Sequence, residues 1–163
     1  VKVSDLFIDE GVIVSTEGRN QKPLETLYAT KEGTEPHYPL LVLVDRGSAS
    51  ASEIVAGAIQ DHGRGVIGGV RSFGKGSVQT IIELDDGSGL KLTIAKYFTP
   101  KKRSIQDHGI EPDLIFEASD KTEPEKASNA NKDTEKSKNN RKEDRPLQMA
   151  ISYLKTKIHT QSQ

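Results

Sequence analysis

The sequence contains no cysteine. That excludes disulfides, thiolate nucleophiles and cysteine zinc sites. It does not place the protein, because a cysteine-free chain suits an oxidising compartment as well as a reducing one. No apolar run approaches the roughly 20 residues needed to span a bilayer. The chain opens on Val1, with no initiating Met and no signal-peptide pattern, and is read as a piece of a longer protein. Excess charge is missing too. Twenty-three Lys and Arg against 24 Asp and Glu leave a formal net charge of -1. Nothing therefore points to bulk attraction to nucleic acid or acidic lipid. At 163 residues the length suits one domain with a core plus a tail.

What is present sorts by position. Residues 12–16 (VIVST) are β-branched and read as a strand, with 24–30 as its hairpin partner. Residues 40–44 (LLVLV) form a continuous apolar run, the mark of a strand buried on both faces. A helix is expected over 51–62, with Ile54, Val55, Ala58 and Ile59 at helical spacing and Gly63 as its stop. Residues 66–70, 78–84 and 90–98 read as further strands, with a turn at 85–89. Strand, helix and strand in this order, with added hairpins, predict an α/β domain over 1–116. Residues 117–145 are Lys, Glu, Asp, Asn and Ser with little to bury, and are expected to be a disordered linker. Residues 146–163 carry a last helix. Leu147, Ala150, Ile151, Leu154 and Ile158 fall on one face, and Asp144 and Pro146 are placed to start it.

The segment RSFGKGSVQ, residues 71–79, holds a lysine between two glycines. Gly69 to Lys75 fits the phosphate-loop pattern G-x-x-x-x-G-K. The next residue is Gly76, not the Ser or Thr that would hold magnesium, and a strand rather than a helix follows. Lys75 can instead decorate a solvated turn. It can also serve as a general base, if its ammonium form is destabilised by about 4 kcal/mol so that its pKa falls to about 7–8. Phe73, Val78, Val70 and Ile67 are the apolar neighbours expected to wall it in.

A base needs a nucleophile. RGSASASE, residues 46–53, lies after the apolar strand and opens the helix. Ser50 and Glu53 form a capping-box pattern, so Ser50 can be a helix cap worth about 1 kcal/mol. A serine at a helix N-terminus is equally well placed for chemistry, since free N–H groups there favour developing negative charge. The N–H of Ala51 is a candidate oxyanion donor. The G-x-S-x-G elbow is absent from the sequence. His37, His62, His108 and His159 are read as surface or helix-terminus residues. About 12 helical residues at ~1.5 Å each place His62 roughly 18 Å from Ser50, too far to be its base. Lys101, Lys102 and Arg103 read as a solvated turn.

Four blocks together are specific: GSASASEI, SFGKGSVQ, KLTIAKYFTP, and RSIQ-x-x-GI-x-PD. Over about residues 1–114 they resemble the carboxyl-terminal processing peptidases, or tail-specific proteases. The 25-residue separation of Ser50 and Lys75 agrees with that family's serine-to-lysine spacing. The resemblance implies a crotonase-like, Clp-protease-like core of stacked strand–helix units. It places the nucleophile on Ser50, the general-base lysine on Lys75, the lysine-orienting glutamine on Gln79, and one oxyanion donor on the N–H of Ala51. The family's PDZ domain and the glycine-rich turn supplying a second oxyanion donor are expected ahead of this sequence. Further implications are protein substrates recognised by their C-termini, no cofactor, no metal and no nucleic acid. Self-association, a membrane-anchored parent and an extracytoplasmic location complete the expectations. The competing reading is a non-catalytic domain of the same fold, acting in binding or assembly.

Overall fold

The structure, a computed structural model, describes residues 1–117 and 144–161. The expected hairpin is formed by β1 (Val12–Gly18) and β2 (Pro23–Tyr28), which pair antiparallel around a single 3-10 turn, Arg19–Gln21. On its other edge β1 takes β6 (Gly89–Phe98), and β6 takes β5 (Ser77–Glu83), both antiparallel. The result is a four-stranded sheet in the order β2-β1-β6-β5. A second sheet is parallel, in the order β3-β4-β7: β3 is Leu41–Val44, β4 is Val66–Gly69 and β7 is Leu114–Ile115. The fold is therefore α/β, with a strand–helix–strand crossover formed by β3, α2 (Ala51–Asp61) and β4.

Helix α2 is the wall shared by both parts of the core. Ala56 and Ile59 pack with Val44, Ile67, Ile105 and Ile110, while Ala58 packs with Ile8, Ile13 and Val14. The fully buried isoleucines in these clusters are each worth about 1.5–3 kcal/mol of transfer free energy. The helix backbone also runs close to Thr99: a Cβ on Gly57 would lie 2.8 Å from Thr99 Cγ2. The helix stops where expected. Gly63 adopts φ +65, its N–H returns to the carbonyl of Gln60 at 3.0 Å, and Arg64 N–H returns to Ile59 at 3.0 Å. This is the Schellman arrangement, which satisfies the last carbonyls of the helix. His62, the C-cap, has its Nε2 2.7 Å from the Val12 carbonyl and so joins the helix end to β1.

One expectation needs correction. The apolar run at 40–44 is not buried on both faces: β3 is an edge strand, and Leu43 is 38% exposed. The cluster 101–103 is an exposed turn, as expected, closed by Lys102 N–H on the Thr99 carbonyl at 2.8 Å, and its side chains also make polar contacts. Lys102 Nζ donates to Ser15 Oγ and Glu17 Oε1 at 3.0 and 3.1 Å, and Arg103 pairs with Asp61. These contacts clamp the end of β6 to β1 and α2.

A short helix, α1 (Lys2–Asp5), precedes β1, and α3 spans Arg145–Gln161. Asp144 starts α3 as expected, with Leu147 N–H donating to its Oδ1 at 3.1 Å. The expected apolar face docks only in part. Helix α3 packs against β3 and β4 with Ala150 buried and Tyr153 and Leu154 half-buried, while Leu147, Ile151 and Ile158 stay exposed. The linker expectation falls almost wholly on residues 118–143, outside the described residues. Among the described residues no helix is long and apolar enough to cross a membrane.

Candidate active site

Ser50 stands in the turn from β3 into α2, one residue ahead of the helix. Its backbone is at φ 57, ψ −113. A non-glycine residue there costs about 1–3 kcal/mol and persists only where the surroundings hold it. A strained serine on a strand-to-helix turn is the geometry of a nucleophile elbow, reached here without the G-x-S-x-G sequence. The preceding turn is tight: Asp45 Oδ1 accepts from Gly47 N–H, Ser48 N–H and the Ser48 hydroxyl. Those bonds, the Ser48 hydroxyl first, hold the Asp45 carboxyl below its ordinary value.

Glu53 is the residue that organises the site. It is completely buried. Its Oε2 accepts from the N–H of Ser50 and the N–H of Lys75, both at 2.8 Å. Its Oε1 accepts from the Ser72 hydroxyl and from Gly74 N–H, both at 2.6 Å. Because the Ser50 and Lys75 nitrogens share one oxygen, they lie no further apart than twice 2.8 Å. Two segments 25 residues apart in sequence thus meet at a single carboxylate. The Ser72 hydroxyl passes the link on by accepting from Ile110 N–H at 2.7 Å, and Phe73 N–H donates to the Ser48 carbonyl at 2.9 Å. The capping-box pattern signalled only the Glu53 bond to Ser50. The three donors from residues 72–75 carry no sequence signal.

The glycines around Lys75 have separate physical reasons. Gly74 sits at φ +93, in left-handed space that a side chain rarely adopts. At Gly76 a Cβ would lie 2.5 Å from Gln106 N and 2.9 Å from Ile105 C. The lysine-bearing segment is pressed against residues 105–109 on both sides of Lys75. No helix follows it; β5 does, as the rejection of a phosphate loop required.

The expected apolar wall is not assembled around Lys75. Lys75 is exposed, Phe73 is 65% exposed, and Ile67 points into the core beside Val44. Adjacent positions of an extended chain face opposite ways, so neighbours in sequence do not converge on one side chain. Gln79 is exposed on β5, and its Nε2 donates to Thr93 Oγ1 at 3.3 Å across the β5–β6 pair. Ala51 is the first residue of α2 and exposed, so its N–H belongs to the first turn, whose donors have no partner within the helix. His62 is at the opposite end of α2 from Ser50, and His108 Nδ1 lies 2.8 Å from the Gln106 carbonyl.

Comparison with known proteins identifies the family of the chain. The carboxy-terminal-processing protease of Bartonella bacilliformis is 51% identical over 117 residues, 72% of this chain and 27% of the relative. The carboxyl-terminal-processing protease of Synechocystis is 44% identical over 117 residues, with the same coverage. Among solved structures, the photosystem II D1 C-terminal processing protease superposes with a TM-score of 0.66 at 42% identity. That match covers 69% of this chain and 29% of the other. A lipoprotein from Streptococcus agalactiae shares the fold at 14% identity, with a TM-score of 0.63 over 95% of this chain. The chain thus spans about a quarter of the length of the curated relatives it matches. Residues 1–116 match the model of peptidase family S41, the same span that holds Ser50, Glu53 and Lys75, and the chain belongs to that family.

Proposed function

We propose that the protein is a serine endopeptidase in which Ser50 is the nucleophile and Lys75 the general base. The observation that carries this reading is the strained Ser50 turn held to the Lys75 main chain by buried Glu53. Family membership supports peptide-bond hydrolysis as the reaction class.

In the proposed reaction neutral Lys75 takes the Ser50 hydroxyl proton as Oγ bonds to the substrate carbonyl carbon. The carbonyl π pair moves to its oxygen, and the N–H of Ala51 donates to the oxyanion that forms. Collapse breaks the C–N bond, and the leaving amine takes the proton from the Lys75 ammonium. Water then attacks the acyl carbon while Lys75 accepts its proton, the acyl C–Oγ bond breaks, and Lys75 returns the proton to Ser50 Oγ as the new carboxylate leaves. Gln79 orients the lysine in this scheme, turning from Thr93 to do so.

The proposed substrates are proteins read by their C-termini, and the proposed place of action is extracytoplasmic. The names of the relatives as carboxyl-terminal processing proteases support the first. Family resemblance supports the second, which cell fractionation tests. The catalytic test is cleavage of an unstructured protein by the full-length protein, against its Ser50→Ala and Lys75→Ala variants. Both substitutions are expected to abolish cleavage with folding intact. Wild-type cleavage by Lys75→Ala refutes Lys75 as the base.

A further inference from the structure

The direction of the Lys75 side chain is set by the two peptide groups that flank its Cα, and each is held from outside the loop. The N–H of Lys75 donates to Glu53 Oε2 at 2.8 Å. The next N–H, that of Gly76, donates to Gln106 Oε1 at 3.1 Å. Peptide groups are planar, so fixing the planes on both sides of a Cα fixes its Cα–Cβ bond. Glycine supplies no such stiffness of its own, and Lys75 has one on each side. Gln106 is half-buried and belongs to the segment after β6 that lies against the lysine loop. That segment binds Ser72 and Gly74 through its main chain. Ser72 N–H donates to the Ile110 carbonyl at 3.2 Å, and Asp107 N–H to the Gly74 carbonyl at 2.9 Å. It binds Gly76 N–H through a side chain. The partners of that side chain fix its orientation: the N–H of Gly76 requires the amide oxygen, and Nε2 donates to Asp107 Oδ1 at 2.6 Å.

We infer that Gln106 is a positioning residue for Lys75. It holds the peptide plane after the lysine as Glu53 holds the plane before it, and so aims the side chain. The inference rests on the Ser50–Lys75 reading, which supplies the purpose of the aim. A reacting group displaced by about 1 Å can lose on the order of 100-fold in rate. The bond also gives Gly76 a second reason to be glycine. A Cβ there would lie 2.5 Å from Gln106 N and would push away the residue that accepts from Gly76 N–H. Because the effect of Gln106 passes through the main chain of Gly76 to the base, it falls on the chemical step and not on substrate binding.

The test uses the full-length protein and an unstructured protein substrate. Gln106→Met keeps the length of the side chain and removes the acceptor. It should lower kcat roughly 10–100-fold while KM moves less than about threefold. Gln106→Glu combined with Asp107→Asn reverses donor and acceptor between the two side chains and keeps an oxygen for Gly76 N–H. This reversed pair should return kcat to within about threefold of wild type. Gln106→Ala gives the same reading if Gln106→Met does not fold. Amide exchange is followed in the same substitutions carried on Ser50→Ala. The Gly76 amide should exchange faster in Gln106→Met and regain protection in the reversed pair. Ser50-dependent cleavage with kcat within about twofold of wild type in Gln106→Met overturns the inference and leaves the catalytic pair standing. A reversed pair as slow as Gln106→Met overturns it in the same way. No cleavage by wild type, with the Gly76 amide responding as expected, keeps Gln106 as the holder of the lysine loop and removes the catalytic reading.

Discussion

Replacing Glu53 with Gln changes no shape and one chemical property: an acceptor-only carboxylate becomes half donor. In the protein its two oxygens take four donated hydrogen bonds, two each. A glutamine can satisfy one pair. If its oxygen faces Ser50 and Lys75, its NH2 confronts Gly74 N–H and a Ser72 oxygen already accepting from Ile110 N–H. If it is turned over, the NH2 confronts the N–H groups of Ser50 and Lys75. Two buried donors are orphaned in either orientation, at about 1–3 kcal/mol each. The expected loss is about 2–6 kcal/mol, a large share of a typical domain stability of about 5–15 kcal/mol. In urea this corresponds to a midpoint roughly 1–3 M lower. Amide exchange reports where the loss falls, and the amides of Ser50, Gly74 and Lys75 should exchange faster than those of Ala58 and Ile59 in the same variant. A midpoint within about 0.3 M of wild type, with those three amides still protected, would refute the assignment of Glu53 as the organising residue.

Three further outcomes follow from the geometry. Ser50→Gly should be more stable than Ser50→Ala by about 1–3 kcal/mol in chemical denaturation, because glycine adopts φ 57 without strain. Equal stabilities would show that the turn relaxes. Gly76→Ala should cost about 1–3 kcal/mol through the clash with residues 105 and 106. Gly89→Ala, whose Cβ would meet only Ile81 Cγ2 at 3.6 Å, serves as the control and should stay close to wild type. Asp45 carries a pH dependence. Its folded-state pKa is depressed, so its contribution is present above the ordinary value of 3.8 and is lost as pH falls through the lower folded value. The stability advantage of wild type over Asp45→Asn should therefore shrink from pH 6 down to pH 2, and a constant advantage contradicts the assigned cause.

The elements most legible in the sequence were those with local signals at both ends. For α2, a capping box, helical spacing of Ile54, Val55, Ala58 and Ile59, and Gly63 gave bounds within one residue of those observed. Helix α1 and strand β7 are too short, at four and two residues, to show any periodicity. Where the fate of a residue depended on distant partners, local reading failed. The run Leu41–Val44 cannot reveal that, among the described residues, β3 pairs with a strand on one edge alone. The basic cluster at 101–103 is the solvated turn its sequence suggested, but its contacts gave no local signal because Ser15, Glu17 and Asp61 are at least 40 residues away. The serine and lysine motifs named the candidate residues, but the carboxylate that brings their backbones together looked like a cap. Its other donors arrive from 19 to 22 residues downstream.

The central claim, that Ser50 is activated by Lys75, is tested most directly by reaction with a fluorophosphonate that labels activated serines. The full-length protein and its Lys75→Ala variant are each exposed, and the adduct is located by peptide mass spectrometry. The account predicts a single adduct on Ser50 that is lost in Lys75→Ala. Labelling of a different serine, or equal labelling of Ser50 in the variant, would contradict it.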